Sequence, residues 1–286
     1  MSTAAARQPL QTAQRRAAIV AWGRRHRLLS ELGVLAAVWA VYSFARTAAS
    51  DDLLRAQATA IDILRMEGNL GINVEAQWNA AVVGLPWLAD ATAAWYVSLH
   101  YLVTLTVLVT LFRRFPDHYR RLRRGLLSAT MAALVFYVLM PTAPPRLMPR
   151  GYVDVVRETF SVDSGVSADA PRTGLAALTN QLAAFPSMHA GWALWAAIAV
   201  WVMTGNLWLR LASGAYAAIT AVVVVVTANH WTVDVFAGWA FIAAAYALQR
   251  PWRDAAAPVA ADQLRAEAAA NVAAPAGPDE ATVLVW

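Results

Sequence analysis

The 286-residue chain contains no cysteine, and all 23 of its basic residues are arginine. Without cysteine, a disulfide framework, a thiolate nucleophile and a cysteine-ligated metal are excluded. Charged residues are also scarce, at 14% of the chain, whereas about 25% is usual for soluble domains. This shortage excludes an ordinary soluble domain and predicts a protein that crosses a membrane several times.

Apolar residues are abundant, at 59% of the chain, and the 13 tryptophans suit the interfacial belts of membrane proteins. A net charge of +5 and a pI near 10.0 are also compatible with a nucleic-acid partner. However, the arginines form short clusters beside apolar runs, which is typical of membrane topology rather than of a nucleic-acid-binding face. We therefore expect the lipid bilayer as a partner, and no nucleic acid.

Six apolar stretches are predicted to span the membrane, at residues 28–44, 95–112, 126–140, 188–203, 208–226 and 233–248. A cleaved signal peptide is an alternative for the first stretch, but its long basic lead favours an uncleaved helix with a cytoplasmic N-terminus. Six spans then place the arginine clusters at 113–124 and 250–253 on the cytoplasmic side, as the positive-inside rule requires.

The segment between the first two spans has a different pattern. Ser50-Asp51-Asp52 is typical of a helix start, and an apolar stripe then recurs at helical spacing with charges between its members, Leu54, Ala58, Ile61 and Leu64. This pattern predicts an amphipathic helix on the extracytoplasmic surface. The apolar piece at 78–88 is too short to span comfortably, so an interfacial and a re-entrant position both stay open.

The predicted fold is all-α: a polytopic membrane protein with six transmembrane helices in a bundle plus an extracytoplasmic amphipathic helix. Residues 1–27 are predicted to be a cytoplasmic basic segment, residues 28–250 the membrane domain, and residues 251–286 a disordered, Ala/Pro-rich cytoplasmic tail. This arrangement corresponds to a multi-pass protein of the cell membrane with both termini in the cytoplasm.

The topology brings polar side chains from three loops to the extracytoplasmic boundary: Arg146, Ser187, His189, His230 and Asp234. His230 and Asp234 are four residues apart, so they share a face if this segment is helical. A carboxylate behind an imidazole fixes the tautomer and prepares the other ring nitrogen for attack or proton transfer. The alternative is a polar helix cap beside a hydrogen-bonded core histidine.

Arg146 and Ser187 each allow two interpretations, phosphate binding or a structural role. Arg146 follows a proline-rich stretch, where a stiffly held guanidinium suits a phosphate, but an arginine at a span end also reaches lipid headgroups. Ser187 opens a helix, either as an ordinary cap or as a donor to an anion bound at the helix N-terminus. His189, two residues later, is placed to protonate a leaving oxygen.

The chain resembles the type 2 phosphatidic acid phosphatase superfamily over roughly residues 60–250. Three motifs carry this resemblance: Arg146, Pro186-Ser187-x-His189 and His230-x-x-x-Asp234. Pro-Thr-Ala-Pro-Pro-Arg146 and Phe-Pro-Ser-x-His189 resemble the inositolphosphotransferase branch in particular, which includes fungal inositol phosphorylceramide synthase. The resemblance implies a lipid phosphatase or phosphotransferase without metal or cofactor, in which His230 becomes a phosphohistidine. It also implies that Asp234 orients His230, that His189 is the general acid, and that Arg146 and Ser187 hold phosphate oxygens.

The chain departs from the superfamily pattern at four positions. Leu139 stands where the superfamily has a lysine, Val223 and Val224 replace a Ser-Arg pair, and Met188 replaces the glycine between the motif serine and histidine. Two cations of the phosphate cage are therefore absent, and such cations contribute much to stabilising a phosphoryl transition state.

Three residues are proposed to compensate for the missing cations: His100 in the second span, and Arg150 or Arg172 in the long polar loop. The alternative interpretation of His100 is a hydrogen-bonded core histidine. Asn229 either caps the sixth helix or donates to phosphate.

The expected substrate is a phospholipid or polyprenyl-type lipid phosphate, and hydrolysis and transfer to an alcohol both stay open. A non-catalytic lipid-binding or scaffold protein is the alternative, while the lack of charged residues in mid-span disfavours a transporter.

Overall fold

The computed structural model describes residues 26–48, 52–149, 151–164 and 181–249. Regular structure within these ranges is helical, apart from an isolated bridge between Thr142 and Ala183. The α-helices are α1 (Arg27–Ala48), α2 (Leu53–Leu70), α3 (Glu75–Val83), α4 (Pro86–Ala94), α5 (His100–Arg114), α6 (Pro116–Leu139), α7 (Val155–Ser164), α8 (Met188–Met203), α9 (Leu207–Val226) and α10 (Thr232–Ala247). The predicted tail and almost all of the predicted N-terminal segment lie outside the described residues, as do Arg150 and Arg172.

Within the described residues, four helices are long and apolar enough to cross a membrane: the Leu28–Ala45 part of α1, the continuous stretch Pro86–Arg114, α6 and α9. Helices α8 and α10 are also apolar but shorter, at 16 residues each. The described part of the chain is therefore an all-helical membrane protein, and the six crossings stay a prediction.

Two predicted helix boundaries were wrong. A π-turn at Trp95–Leu99 joins α4 to α5, so the second predicted span begins at Pro86, a proline at the first position of the helix, where its missing N–H costs nothing. This start divides the apolar piece predicted at 78–88, because α3 already ends at Val83. Helix α6 likewise begins at Pro116 rather than at 126, because arginine is a good helix former and the basic cluster continues the helix.

Helix α2 begins as predicted but turns a different face inward. Asp52 caps it, accepting a hydrogen bond from the Arg55 N–H at 3.0 Å, and the helix ends at Gly71, whose φ of 69° is left-handed. Leu54 and Ile61 of the predicted apolar stripe are 79% and 41% exposed. The buried face carries Ala56, Ala60, Ile63 and Glu67.

Helix α8 lies at the centre of the bundle and packs against α5, α6, α9 and α10. Two tryptophans fix it to α6: the fully buried Trp195 donates to the Leu122 carbonyl at 2.9 Å, and Trp192 donates to the Thr130 hydroxyl at 2.9 Å. A buried indole N–H needs such a partner, so these bonds set the register between the two helices.

Helix α10 approaches the start of α8 very closely, at Gly238 and Gly191. A methyl group built on Gly238 would lie 2.0 Å from the Ser187 carbonyl oxygen, and one on Gly191 would lie 3.1 Å from the Gly238 carbonyl oxygen. The Ser187 N–H also donates to the Asp234 carbonyl at 2.9 Å. This contact holds the segment that carries Ser187 and His189 against the segment that carries His230.

Candidate active site

The loop between α9 and α10 carries His230 and Asn229 of the candidate site. Ala228 has a positive φ of 57°, and the N–H groups of Asn229 and His230 both donate to the Val224 carbonyl, at 3.2 and 3.0 Å. The Ala228 carbonyl in turn accepts from the Arg146 N–H at 3.0 Å. The backbone therefore joins the arginine segment directly to the histidine loop, two parts of the chain that the sequence separates by about 80 residues.

His230 is oriented chiefly by a backbone carbonyl. Its Nδ1 lies 2.8 Å from the Ala184 oxygen and 3.5 Å from Oδ2 of Asp234. Because a carbonyl oxygen only accepts, Nδ1 carries the proton and Nε2 keeps its lone pair. Oδ2 of Asp234 also accepts a hydrogen bond from the Trp231 N–H at 2.8 Å, and the orienting role of Asp234 stays a prediction.

Burial also favours the neutral form of His230. The imidazole is 5% exposed, and its burial lowers the pKa of His230 to about 3, with the positive charge of Arg146 acting in the same direction. The hydrogen bond to Ala184 opposes this shift. A neutral imidazole with one unprotonated nitrogen is the form that acts as a nucleophile.

Three imidazole rings form a row across the site. The ring centroids of His100 and His189 are 4.1 Å apart, and those of His189 and His230 are 5.8 Å apart. Tyr96 stacks on His189 at 4.4 Å, and Trp192 stacks on His100 at 4.8 Å. His100 therefore belongs to the site region. Its buried Nδ1 has no hydrogen-bond partner within the described residues, so the alternative of a hydrogen-bonded core histidine does not describe this nitrogen.

Arg146 is held on three sides. Its Nη1 donates to Oδ1 of Asn229 at 2.6 Å and its Nη2 to Oε1 of Gln181 at 3.0 Å, while Nε lies 3.3 Å from Oδ2 of Asp154. Asn229 also donates to the Thr227 hydroxyl at 3.0 Å, so in the structure it orients the guanidinium rather than capping α10. Gln181 and Asp154 were not predicted, since both lie in a polar loop that carries no motif.

Ser187 is fully buried at the N-cap of α8, where its Oγ accepts from the Ala190 N–H at 3.4 Å. The peptide bond between Phe185 and Pro186, which precedes it, is cis. The serine thus has the capping role that was the alternative to phosphate binding, although the helix N-terminus it opens remains a favourable place for an anion.

The positions that depart from the superfamily pattern lie in different surroundings. Val223 and Val224 are buried in α9, whereas Leu139 is 67% exposed. The Arg55 guanidinium of α2 donates to the Leu139 carbonyl at 3.2 Å. A cation therefore lies beside the position where the superfamily has a lysine, supplied by a different helix.

These features describe a helical membrane protein in which three histidines and an arginine meet in a largely buried polar cluster. The sequence profile of the PAP2 superfamily matches residues 61–248. The chain therefore belongs to the PAP2 superfamily, which supports a function of the lipid phosphatase type. Searches of curated proteins and of solved structures gave no significant match. The inositolphosphotransferase branch stays a prediction.

Proposed function

We propose that this protein is an integral membrane lipid phosphatase or phosphotransferase in which Nε2 of His230 attacks the phosphorus of a lipid phosphate. The observation that carries the proposal is the 2.8 Å contact between Nδ1 of His230 and the Ala184 carbonyl. An imidazole protonated on Nδ1 has its lone pair on Nε2, which faces away from the carbonyl. The N–P bond forms as the P–O bond to the lipid breaks, giving a phosphohistidine.

His189 is the proposed general acid. Its ring lies next to that of His230, and its stacking on Tyr96 and its tilted contact with His100 restrict its orientation. It gives a proton to the leaving lipid oxygen, and it then accepts a proton from the water or alcohol that attacks the phosphohistidine. Hydrolysis and transfer therefore share every residue and differ in the acceptor, with transfer to an alcohol being the inositolphosphotransferase-like reaction.

Arg146 is the proposed cation of the phosphate site. Asn229 and Gln181 already fix its guanidinium, so little reorganisation is needed when charge develops on the phosphoryl oxygens. A phosphate oxygen of the substrate would replace the Asp154 carboxylate as the partner of Nε of Arg146. Ser187 and the first N–H groups of α8 would hold a further oxygen.

The first prediction is a covalent intermediate. Purified protein mixed with phosphatidic acid that carries a radiolabelled phosphate, then denatured within one turnover, is expected to retain label that is stable in alkali and lost in acid, as phosphohistidine is. Added glycerol or inositol should divert label from inorganic phosphate to the alcohol phosphate if the protein is a transferase. An absence of protein-bound label during measurable turnover would contradict the phosphohistidine.

A non-catalytic lipid-binding or scaffold role is a second candidate. It is favoured by the valines at 223 and 224 and by Leu139, which replace residues of the superfamily phosphate cage. This role predicts retained binding of phosphatidic acid micelles with no release of phosphate. The same labelled lipid therefore distinguishes the two candidates.

The site is proposed to face the extracytoplasmic side, and the absence of native cysteine makes this testable with single substitutions. Asn69→Cys, exposed near the end of α2, should react with an impermeant thiol reagent added to intact cells. Gly205→Cys, exposed between α8 and α9, should react only after the membrane is broken. The reverse pattern would invert the proposed topology.

A further inference from the structure

Three buried carboxylates meet at the start of α10. Asp234 belongs to α10 itself, Glu67 to α2 and Glu75 to α3, and none of them is more than 1% exposed. They accept hydrogen bonds from three consecutive backbone N–H groups. Oδ2 of Asp234 accepts from Trp231 at 2.8 Å, Oε1 of Glu75 from Thr232 at 2.8 Å, and Oε1 of Glu67 from Val233 at 2.7 Å.

The first N–H groups of a helix have no partner within the helix, and the helix dipole favours negative charge beside them. One carboxylate is enough for such a cap, yet here two more arrive from other helices. Glu67 and Glu75 have no salt-bridge partner among the described residues. Three ionised carboxylates buried together would repel one another and lose their hydration, so a proton is expected to be retained within the cluster.

Glu67 and Asp234 are the two residues suited to retain this proton, because each has a buried carboxyl oxygen without a hydrogen-bond partner among the described residues. Burial, followed by the negative charges of Glu75 and Asp234, raises the pKa of Glu67 to about 8, even though its bond from Val233 acts in the opposite direction. Its Oε2 is buried without a hydrogen-bond partner among the described residues. Among the described residues, no group of His, Asp and Glu side chains is arranged to hold a metal ion.

The cluster lies directly behind His230. The capped residues are the three that follow this histidine in the chain, and Asp234 approaches Nδ1 of His230 to 3.5 Å. The Thr232 hydroxyl adds a fourth bond, donating to Oε1 of Glu75 at 2.5 Å. Helices α2 and α3, which contain none of the motif residues, are thus bonded to the backbone that positions the proposed nucleophile.

We propose that Glu67 and Glu75 are positioning residues for His230, and that they anchor the start of α10 only while Glu67 is protonated. This proposal rests on the proposed role of His230 as nucleophile. When Glu67 ionises, its negative charge is buried beside the carboxyl groups of Glu75 of α3 and Asp234 of α10. The resulting repulsion loosens the cap and displaces the imidazole from its bond to Ala184.

The test is the pH dependence of phosphate release from phosphatidic acid in detergent micelles. In the wild-type protein we expect turnover to fall as the pH rises through about 8, with the midpoint set by Glu67. Glu67→Gln resembles the protonated acid and still accepts from Val233, so it should keep its neutral-pH turnover and lose the alkaline fall. Glu67→Ala, which removes the acceptor, should lower turnover about tenfold at neutral pH and should also lack the alkaline fall.

Asp62→Asn is the matched control, because Asp62 lies one turn earlier on α2, about 75% exposed, and pairs only with Arg65 in the described contacts. It should leave the pH profile unchanged. An alkaline fall that persists unaltered in Glu67→Gln would overturn the proposal, as would a profile in which Asp62→Asn has the same effect.

A second readout does not depend on activity. Because the pKa of Glu67 rises from 4.5 in the unfolded chain to about 8 in the folded one, folding retains a proton between these values. The stability of the wild-type protein should therefore decrease as the pH rises from about 4.5 to about 8, and Glu67→Gln should lack this part of the decrease. If no lipid is turned over, the proposed function fails, and thermal unfolding of the two proteins across this pH range alone decides whether the anchor exists; identical curves would refute it.

Discussion

Replacing His230 with alanine is expected to lower the turnover of lipid phosphate by about 10³-fold or more, because the reaction then has no group to accept the phosphoryl. The fold should survive, since the imidazole makes one side-chain hydrogen bond of note, to the Ala184 carbonyl. The measurement is phosphate release by purified wild-type and variant proteins at matched concentration in the same micelles. His118→Ala, at an exposed position on α6, is the matched control and should retain full activity.

His189→Ala separates the nucleophile from the general acid. Its effect on a lipid substrate should also be large, about 10²-fold or more, because the lipid alkoxide is a poor leaving group without a proton. With 4-nitrophenyl phosphate, whose leaving group needs no proton, the loss caused by His189→Ala should shrink. The loss caused by His230→Ala should not. Equal losses on both substrates for His189→Ala would contradict its role as general acid, and undiminished turnover by His230→Ala would rule out the nucleophile.

Much of the fold was predictable because hydrophobic length is a strong signal in membrane proteins. The apolar runs that became α8, α9 and α10 were located from the sequence to within about two residues. The ends that were missed lie where polar or aromatic residues continue a helix beyond its apolar part, at Pro86 and Pro116. Apolarity alone does not mark such ends, because the helix continues through residues with good helix propensity whatever their polarity.

The motif side chains could be singled out from the sequence because histidine and aspartate are rare beside apolar runs, and their roles stay a prediction. What the sequence does not show is which backbone group bonds to which side chain. The Ala184 carbonyl is invisible to any motif, yet it is the closest partner of Nδ1 of His230. Glu67 and Glu75 gave only a weak signal, because an acid in an amphipathic helix is ordinarily exposed to solvent.

The burial of Glu67 follows from the face that α2 turns inward. The predicted stripe at Leu54 and Ile61 faces outward, and small residues such as Ala56 and Ala60 pack inside, which brings the helix close enough for Glu67 to reach Val233. Periodicity gave the helix correctly but not its orientation, since in a bilayer the apolar face can point to lipid instead of to the core.

Gly238→Ala is expected to cause the largest loss of stability of any single methyl group in the described structure. The added carbon would lie 2.0 Å from the Ser187 carbonyl oxygen and 3.0 Å from the Ser187 carbonyl carbon. Both are backbone atoms at the start of α8, so no flexible side chain can move aside. Overpacking of this kind costs about 3 kcal/mol or more, which corresponds to a decrease of about 6–12 °C in the unfolding temperature.

The same clash should impair the site in the molecules that remain folded. Separating α10 from α8 breaks the 2.9 Å bond from the Ser187 N–H to the Asp234 carbonyl and moves His189 away from His230. Turnover of lipid phosphate by Gly238→Ala should therefore fall about tenfold or more even at temperatures well below unfolding. Thermal unfolding in micelles, followed by activity measured at low temperature, reports the two effects separately.

Alanine substitutions at two further glycines test whether the loss of stability follows the size of the clash. Gly191→Ala meets the Gly238 carbonyl oxygen at 3.1 Å and the Met188 side chain at 3.3 Å, so its loss of stability should be intermediate. Gly214→Ala has nothing within 4 Å on the exposed side of α9, and alanine there should stabilise the helix by up to about 1 kcal/mol. From highest to lowest, the expected order of unfolding temperature is Gly214→Ala, wild type, Gly191→Ala and Gly238→Ala. If Gly238→Ala unfolds with the wild type, α8 and α10 do not meet at this contact, and the placement of His189 beside His230 loses its structural basis.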